Sequence, residues 1–200
     1  DVLVNSVGIY ATKKEYNADG LEKVFVVNHL SVFLFTYLLL DKLKMSAPAR
    51  IIQVNSEGHR FNGLKIKDLG FRRRIYTGLR SYGQSKTAQL LTVWEFAERL
   101  RGSGVTINAM HPGAVKTNIG SNNGKLYRWF LRNVTWKFLK DASISGSAMH
   151  YLATAKELEE VSATFFHLTI PEQPAKHARN KDMQQKVWDM SMELTKLNKE

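Results

Sequence analysis

The chain has 200 residues, 44% of them hydrophobic and 24% charged, which is the profile of one globular domain with a core of its own. It contains no cysteine, so disulfides, thiolate metal sites and cysteine nucleophiles are excluded, and no metal is expected. The formal net charge of +11 is spread over short clusters such as Arg72-Arg73-Arg74 and Lys125, Arg128, Arg132, Lys137 and Lys140. None belongs to a recognisable nucleic-acid module, so the excess reads as a solvated basic surface and no nucleic-acid partner is expected.

Val2-Leu3-Val4 is a short apolar run, the pattern of a strand buried on both faces in a parallel sheet, and Asn5-Ser6-Val7-Gly8 ends it with a turn. No signal peptide precedes it, and a start inside a buried strand leads us to expect further sequence upstream. Residues 18–45 carry helical spacing at Leu21, Val24, Phe25, Leu34, Leu38 and Leu39, and Pro48 bounds them. The apolar run from Leu30 to Leu40 is too short to span a bilayer and predicts a buried helix. Asn28 is a polar residue inside this stretch, either locally bonded or an amide placed for a task.

A second parallel-type strand, Arg50 to Val54, ends in Asn55-Ser56 and then Gly58. Ligands of open α/β sheets lie beyond the carboxyl ends of the strands, so Ser56 is a site candidate, with a cap or turn role as the alternative. Residues 57–79 read as a basic loop, and Ser81 to Leu100 as a helix stopped by Gly102 and Gly104. A third strand, Val105 to Met110, breaks at His111-Pro112-Gly113. Residues 118–140 suggest a loop with a short amphipathic helix in which aromatics stand beside basic residues, leaving open a substrate lid, packing onto the domain, or peripheral membrane contact. A helix over 141–156, a short strand at Ala163 to Phe166 and an amphipathic helix over 180–197 complete the chain. Alternation of this kind predicts a parallel sheet with helices on both faces.

The chemistry centres on Ser81-Tyr82-Gly83-Gln84-Ser85-Lys86. Tyr82 and Lys86 are four apart, which on a helix puts both on one face, one turn from each other. A free phenol titrates at about 10 and is a poor acid or base at neutral pH. An adjacent ammonium favours the phenolate and fits it for proton transfer. Alone, a Tyr and a Lys at this spacing read more often as a solvated helix face, because the pattern is short and common.

Taken together, Asn28, Ser56 and Tyr82-x-x-x-Lys86 stand in an order that resembles the short-chain dehydrogenase/reductase family. Asn5-Ser6-Val7-Gly8 resembles its Asn-Asn-Ala-Gly signature, and Pro112-Gly113-Ala114-Val115-Lys116-Thr117 its Pro-Gly-x-x-x-Thr segment. Val27-Asn28-His29-Leu30, Tyr82 to Ala88, Asn108 to Gly113 and the gap of 26 residues between Ser56 and Tyr82 (82 − 56) are similar to the retinol dehydrogenase-like branch.

The resemblance implies a Rossmann-like, doubly wound α/β domain over 1–200, N-terminally truncated, using NADP or NAD on a small hydrophobic alcohol or carbonyl, retinoid- or lipid-like. It implies Tyr82 as general acid/base, Lys86 as the group that lowers its pKa and holds the nicotinamide ribose, Ser56 as hydrogen-bond donor to the substrate oxygen, and Asn28 in a water-linked proton path to Lys86. Asn5 and Gly8 would line the cofactor cleft, and Pro112, Gly113, Val115 and Thr117 would meet the nicotinamide end. Two departures stand out. Ser6 and Val7 replace the signature's second Asn and its Ala, and no Gly-x-x-x-Gly-x-Gly turn for the pyrophosphate occurs in the sequence. The alternative function is therefore a catalytically inactive fragment that binds a partner or forms a homo-oligomer through an open sheet edge. The expected location is cytoplasmic or peripheral at an intracellular membrane.

Overall fold

A computed structural model gives the structure of the chain and describes residues 1–113, 115, 119–120, 123–125, 139 and 141–197. Five strands form one sheet in the sequential order β1 (Val2–Asn5), β2 (Ala49–Val54), β3 (Val105–His111), β4 (Phe165–His167) and β5 (Ile170–Pro171). The first four are parallel, with Leu3 opposite Ile51, Ile51 opposite Ile107 and Ala109 opposite Phe165. β5 returns antiparallel to β4 across a tight turn, a pairing of two residues too short to leave a periodic signal.

The helix expected over 18–45 begins later and is not uniform. It comprises α1 (Lys23–Phe25), a π-helical stretch Val26–Leu30, α2 (Ser31–Leu38) and α3 (Leu40–Met45). Glu22 starts it by accepting from the Val24 and Phe25 amides at 3.1 and 2.9 Å. Burial pushes the Glu22 carboxyl pKa up, and Ser81 Oγ, donating at 3.0 Å, ties this cap to the next crossover helix. That helix is α4 (Gly78–Arg99), capped by Thr77, whose side chain accepts from the Arg80 amide. α5 (Ser143–Thr154) and α6 (Lys181–Leu194) follow among the described residues.

Side chains alternate across the sheet, so each strand feeds two cores. Ile51, Ile107 and Phe165 face α2, α4 and α6, where Phe33, Phe96 and Trp188 meet with ring centroids 4.8–5.3 Å apart. Such ring pairs contribute about 0.5–1.5 kcal/mol beyond the area they bury. Ile52, Met110 and Phe166 face α5 through Ala148 and Leu152. The doubly wound α/β reading holds.

Three expectations are corrected. The run Leu30–Leu40 is not buried throughout: Val32 and Phe33 are, but Phe35 and Leu38 are 53% and 64% exposed. A helix on a sheet buries one stripe, and nothing among the described residues covers the other. Val2 and Val4 are likewise exposed, on the side of β1 away from α2. Third, the arginine triplet is not simply solvated. Arg74 donates to Asp68 Oδ2 at 3.1 Å and to Gln84 Oε1 at 2.8 Å and lies over the Phe71 ring, clamping the loop 57–79 onto α4. The aromatic and basic stretch 118–140 lies almost wholly outside the described residues. Among the described residues no helix is long and apolar enough to cross a membrane.

Candidate active site

The site forms at the carboxyl ends of β1, β2 and β3, where the N-terminal part of α4 crosses the turn that follows β2. Ser56 begins a 3-10 turn (Glu57–Arg60), and its Oγ accepts from the Gly58 amide at 3.1 Å. The cap role and the site role coincide, because the same side chain faces the Tyr82 phenol and acts to lower its pKa. A turn and a helix can approach this closely only where side chains are missing. A methyl on Gly83 would lie 2.7 Å from the Gly58 carbonyl oxygen.

Lys86 stands one turn below Tyr82, 3% exposed, with Nζ 5.9 Å from the Tyr82 ring centroid. Nζ donates to the Val54 carbonyl at 2.9 Å and to Gln89 Oε1 at 3.3 Å. Burial without a counter-charge pulls the Lys86 pKa down to about 7. The expected effect on Tyr82 is not met: burial raises the phenol pKa, and the Ser56 side chain only partly opposes this. An ammonium turned toward carbonyl oxygens, and half neutral near pH 7, does little to stabilise a phenolate.

Asn28, fully buried in the π-helical stretch, spends its amide on the loop after β1. Its Oδ1 accepts from the Ile9 amide at 2.7 Å, and its Nδ2 donates to the Ile9 carbonyl and to Ser85 Oγ, both at 3.0 Å. π-Turns inside helices are frequent at functional sites. Asn28 does not touch Lys86 directly. Gly8 stands between them, where an added methyl would lie 3.8 Å from both Asn28 Oδ1 and Lys86 Nζ. Asn5 is also buried, and its Nδ2 donates to Thr36 Oγ1 at 2.9 Å rather than facing an open cleft.

On the other flank, Pro112 and Gly113 leave the end of β3, Gly113 with φ +70°, and Val115 is buried beyond them. Thr117 lies outside the described residues. This turn is braced by groups that no sequence pattern announced. His111 Nε2 lies 2.9 Å from Glu57 Oε1 and 3.1 Å from Glu172 Oε2, and Arg60 pairs with both carboxylates. His111, His167 and Glu172 offer three metal-type ligand atoms within 4.8 Å of one another. However, the two imidazoles are stacked at 4.5 Å with planes only 10° apart. An imidazole lone pair lies in the ring plane, and parallel stacked planes share no point for an ion. The cluster is an ion-pair brace for the Pro112-Gly113 turn.

The short chain dehydrogenase family profile matches residues 1–127, and the chain belongs to that family. It is similar to retinol dehydrogenase 13 of Homo sapiens, 38% identical over 201 residues covering 98% of this chain and 61% of that protein. The chain therefore spans about three fifths of that relative's length. Among solved structures, an uncharacterised protein from Mycobacterium Paratuberculosis superposes with a TM-score of 0.72 at 27% identity, over 98% of this chain and 67% of the other. The fold is shared more distantly with landomycin C-6 ketoreductase, solved with bound NADP and rabelomycin, at a TM-score of 0.54 and 21% identity over 84% of this chain and 60% of that one.

Proposed function

We propose that this chain carries the proton-handling part of an NAD(P)-dependent oxidoreductase interconverting a small hydrophobic alcohol with its aldehyde or ketone, retinoid- or lipid-like in character. The observation that carries this reading is the Ser56–Tyr82 hydroxyl pair with a buried lysine one turn behind it. In reduction, Tyr82 gives its proton to the substrate oxygen while Ser56 hydrogen-bonds the same oxygen; in oxidation the proton returns. Lys86 lies one turn beneath that exchange, where it would hold the nicotinamide ribose.

The residues present fit the nicotinamide end of a dinucleotide. Gly8 leaves the space beside Lys86 Nζ and Asn28 Oδ1 open, and two of the three Lys86 protons are directed at Val54 O and Gln89 Oε1. Tyr82 and Lys86 would hold the ribose, Asn28 and Gly8 would line the cleft, and Pro112, Gly113 and Val115 would meet the nicotinamide. When bound, NADP or NAD supplies or accepts the hydride.

The test is titration of NADPH and NADH into the chain by cofactor fluorescence, followed by turnover of an aldehyde and ketone panel. Micromolar binding with turnover that falls about 100- to 10,000-fold in Tyr82→Phe supports the reading. A second reading, an interaction or homo-oligomer module without turnover, is favoured by the exposed apolar residues Val2, Val4, Phe35 and Leu38. A folded sample that self-associates and binds neither nucleotide would select it.

A further inference from the structure

Behind Lys86 lies a row of buried amides that proton transfer itself does not use. Gln89, 1% exposed and three residues along α4, points its Oε1 at Lys86 Nζ, 3.3 Å away. An isolated amide could turn either end toward the lysine. Here its neighbours fix the direction: Asn55 Nδ2 donates to Gln89 Oε1 at 2.8 Å, and Gln89 Nε2 donates to Gln53 Oε1 at 3.4 Å. Gln53 Nε2 in turn donates to Thr36 Oγ1 at 3.3 Å. Asn55 has a further task. Its Nδ2 donates to the Lys86 carbonyl at 3.0 Å and its Oδ1 accepts from the Ser56 amide at 2.8 Å. One side chain at the end of β2 thus joins the backbone of Ser56 to the helical turn that carries Lys86.

We propose that the Asn55–Gln89 amide pair is a positioning element, which turns a carbonyl oxygen onto the Lys86 ammonium and holds Ser56 in register with it. The proposal deepens the reading of Ser56, Tyr82 and Lys86 as a proton-transfer group and rests on it. A buried ammonium keeps its charge only where oxygens replace the lost water. Val54 and Gln89 supply two such oxygens. The titratable group facing Lys86 is Tyr82 on its own helix, while the neighbours from the β1 loop and β2 (Gly8, Val54 and Asn55) are uncharged. Neither Asn55 nor Gln89 touches the reacting atoms, so both act through Lys86.

The experiment is an NMR titration of the lysine side chains in the full chain, with the Lys86 signal identified by its loss in Lys86→Met. Gln89→Met keeps the length and removes the acceptor, and the Lys86 midpoint is expected to fall by about one pH unit. Gln89→Glu keeps the shape and adds charge, and the midpoint is expected to rise by at least that much. A packing role alone would move the melting temperature and leave the Gln89→Met midpoint where it is, while Gln89→Glu confirms that a charge at this position reaches Lys86. A Gln89→Met midpoint within a few tenths of a unit of wild type would overturn the proposal. If Gln89→Met does not fold, Asn55→Ala, which releases the Gln89 amide to turn, decides in its place by the same shift. A wild-type chain that binds no nucleotide would sink the functional reading, yet the Lys86 midpoints would still answer this question.

Discussion

Gly58 is the floor under the Tyr82 ring: a methyl added at Gly58 would lie 2.8 Å from both Cδ1 and Cε1 of that ring and 3.4 Å from Ser56 Oγ. Gly83, the next residue on α4, faces the Gly58 carbonyl in the same way, 2.7 Å from an added methyl. The two glycines meet different obstacles. A ring at the end of a side chain can swing aside, whereas a backbone carbonyl cannot move without its turn. Gly83→Ala is therefore expected to destabilise the fold by about 1–3 kcal/mol in urea unfolding. Gly58→Ala is expected to unfold close to wild type but to lose about tenfold or more in turnover, because the phenol is displaced from Ser56. Full turnover in Gly58→Ala would mean that the ring position seen here is not required.

Lys86 makes a prediction about stability against pH. Its pKa is pulled from 10.5 to about 7 by burial, so between those values the unfolded chain holds a proton that the folded chain has released. Stability must then rise with pH across that window, by about 1.4 kcal/mol per unit from this group alone. Below about pH 7 the buried charge is carried in full and the slope vanishes. Urea unfolding at several pH values, compared between wild type and Lys86→Met, isolates the group. The difference between the two should grow from about pH 7.5 to 9.5 and stay flat below about pH 6.5.

His29 makes the companion prediction on the acid side. It is 1% exposed, its Nε2 lies 2.8 Å from Ser191 Oγ, and Ser191 Oγ donates to the Val187 carbonyl at 2.6 Å. The imidazole must therefore donate from Nε2, and its buried Nδ1 has no hydrogen-bond partner among the described residues. Burial holds its pKa at about 3 against 6.5 when exposed. The stability this protects is complete above about pH 6.5 and is lost as pH falls toward 3. Acid unfolding followed by Trp fluorescence should begin below pH 6.5, and His29→Met should shift its midpoint to lower pH. An unchanged midpoint would show that other groups govern acid unfolding.

The sheet and the Tyr82–Lys86 helix were legible in the sequence because their signals are local. Val105 to Met110 and Arg50 to Val54 are apolar runs of strand length, and α4 repeats its apolar residues at helical spacing over 22 residues. Ser56 was legible by its place at a strand end. The π-helical stretch around Asn28 was not, since an altered hydrogen-bond ladder leaves the hydrophobic pattern nearly unchanged. Asn55, Gln53 and Gln89 were equally silent: single amides in a strand and a helix acquire meaning only when β2 and α4 are packed together. The depressed Lys86 pKa belongs to the same class, because burial is a property of the assembled crossover. Arg74 misled for the converse reason, as one member of a basic triplet that happens to face an aspartate and a glutamine.

Three of the four residues proposed to handle the proton ride on a single strand-and-helix crossover. Ser56 leaves β2, Tyr82 and Lys86 stand on α4, and Asn55 and Gln89 join the two from within. This makes the acid–base apparatus modular. Its geometry is set by contacts inside one unit, so it can persist unchanged while the surfaces that grip a nucleotide or select a substrate are remodelled around it.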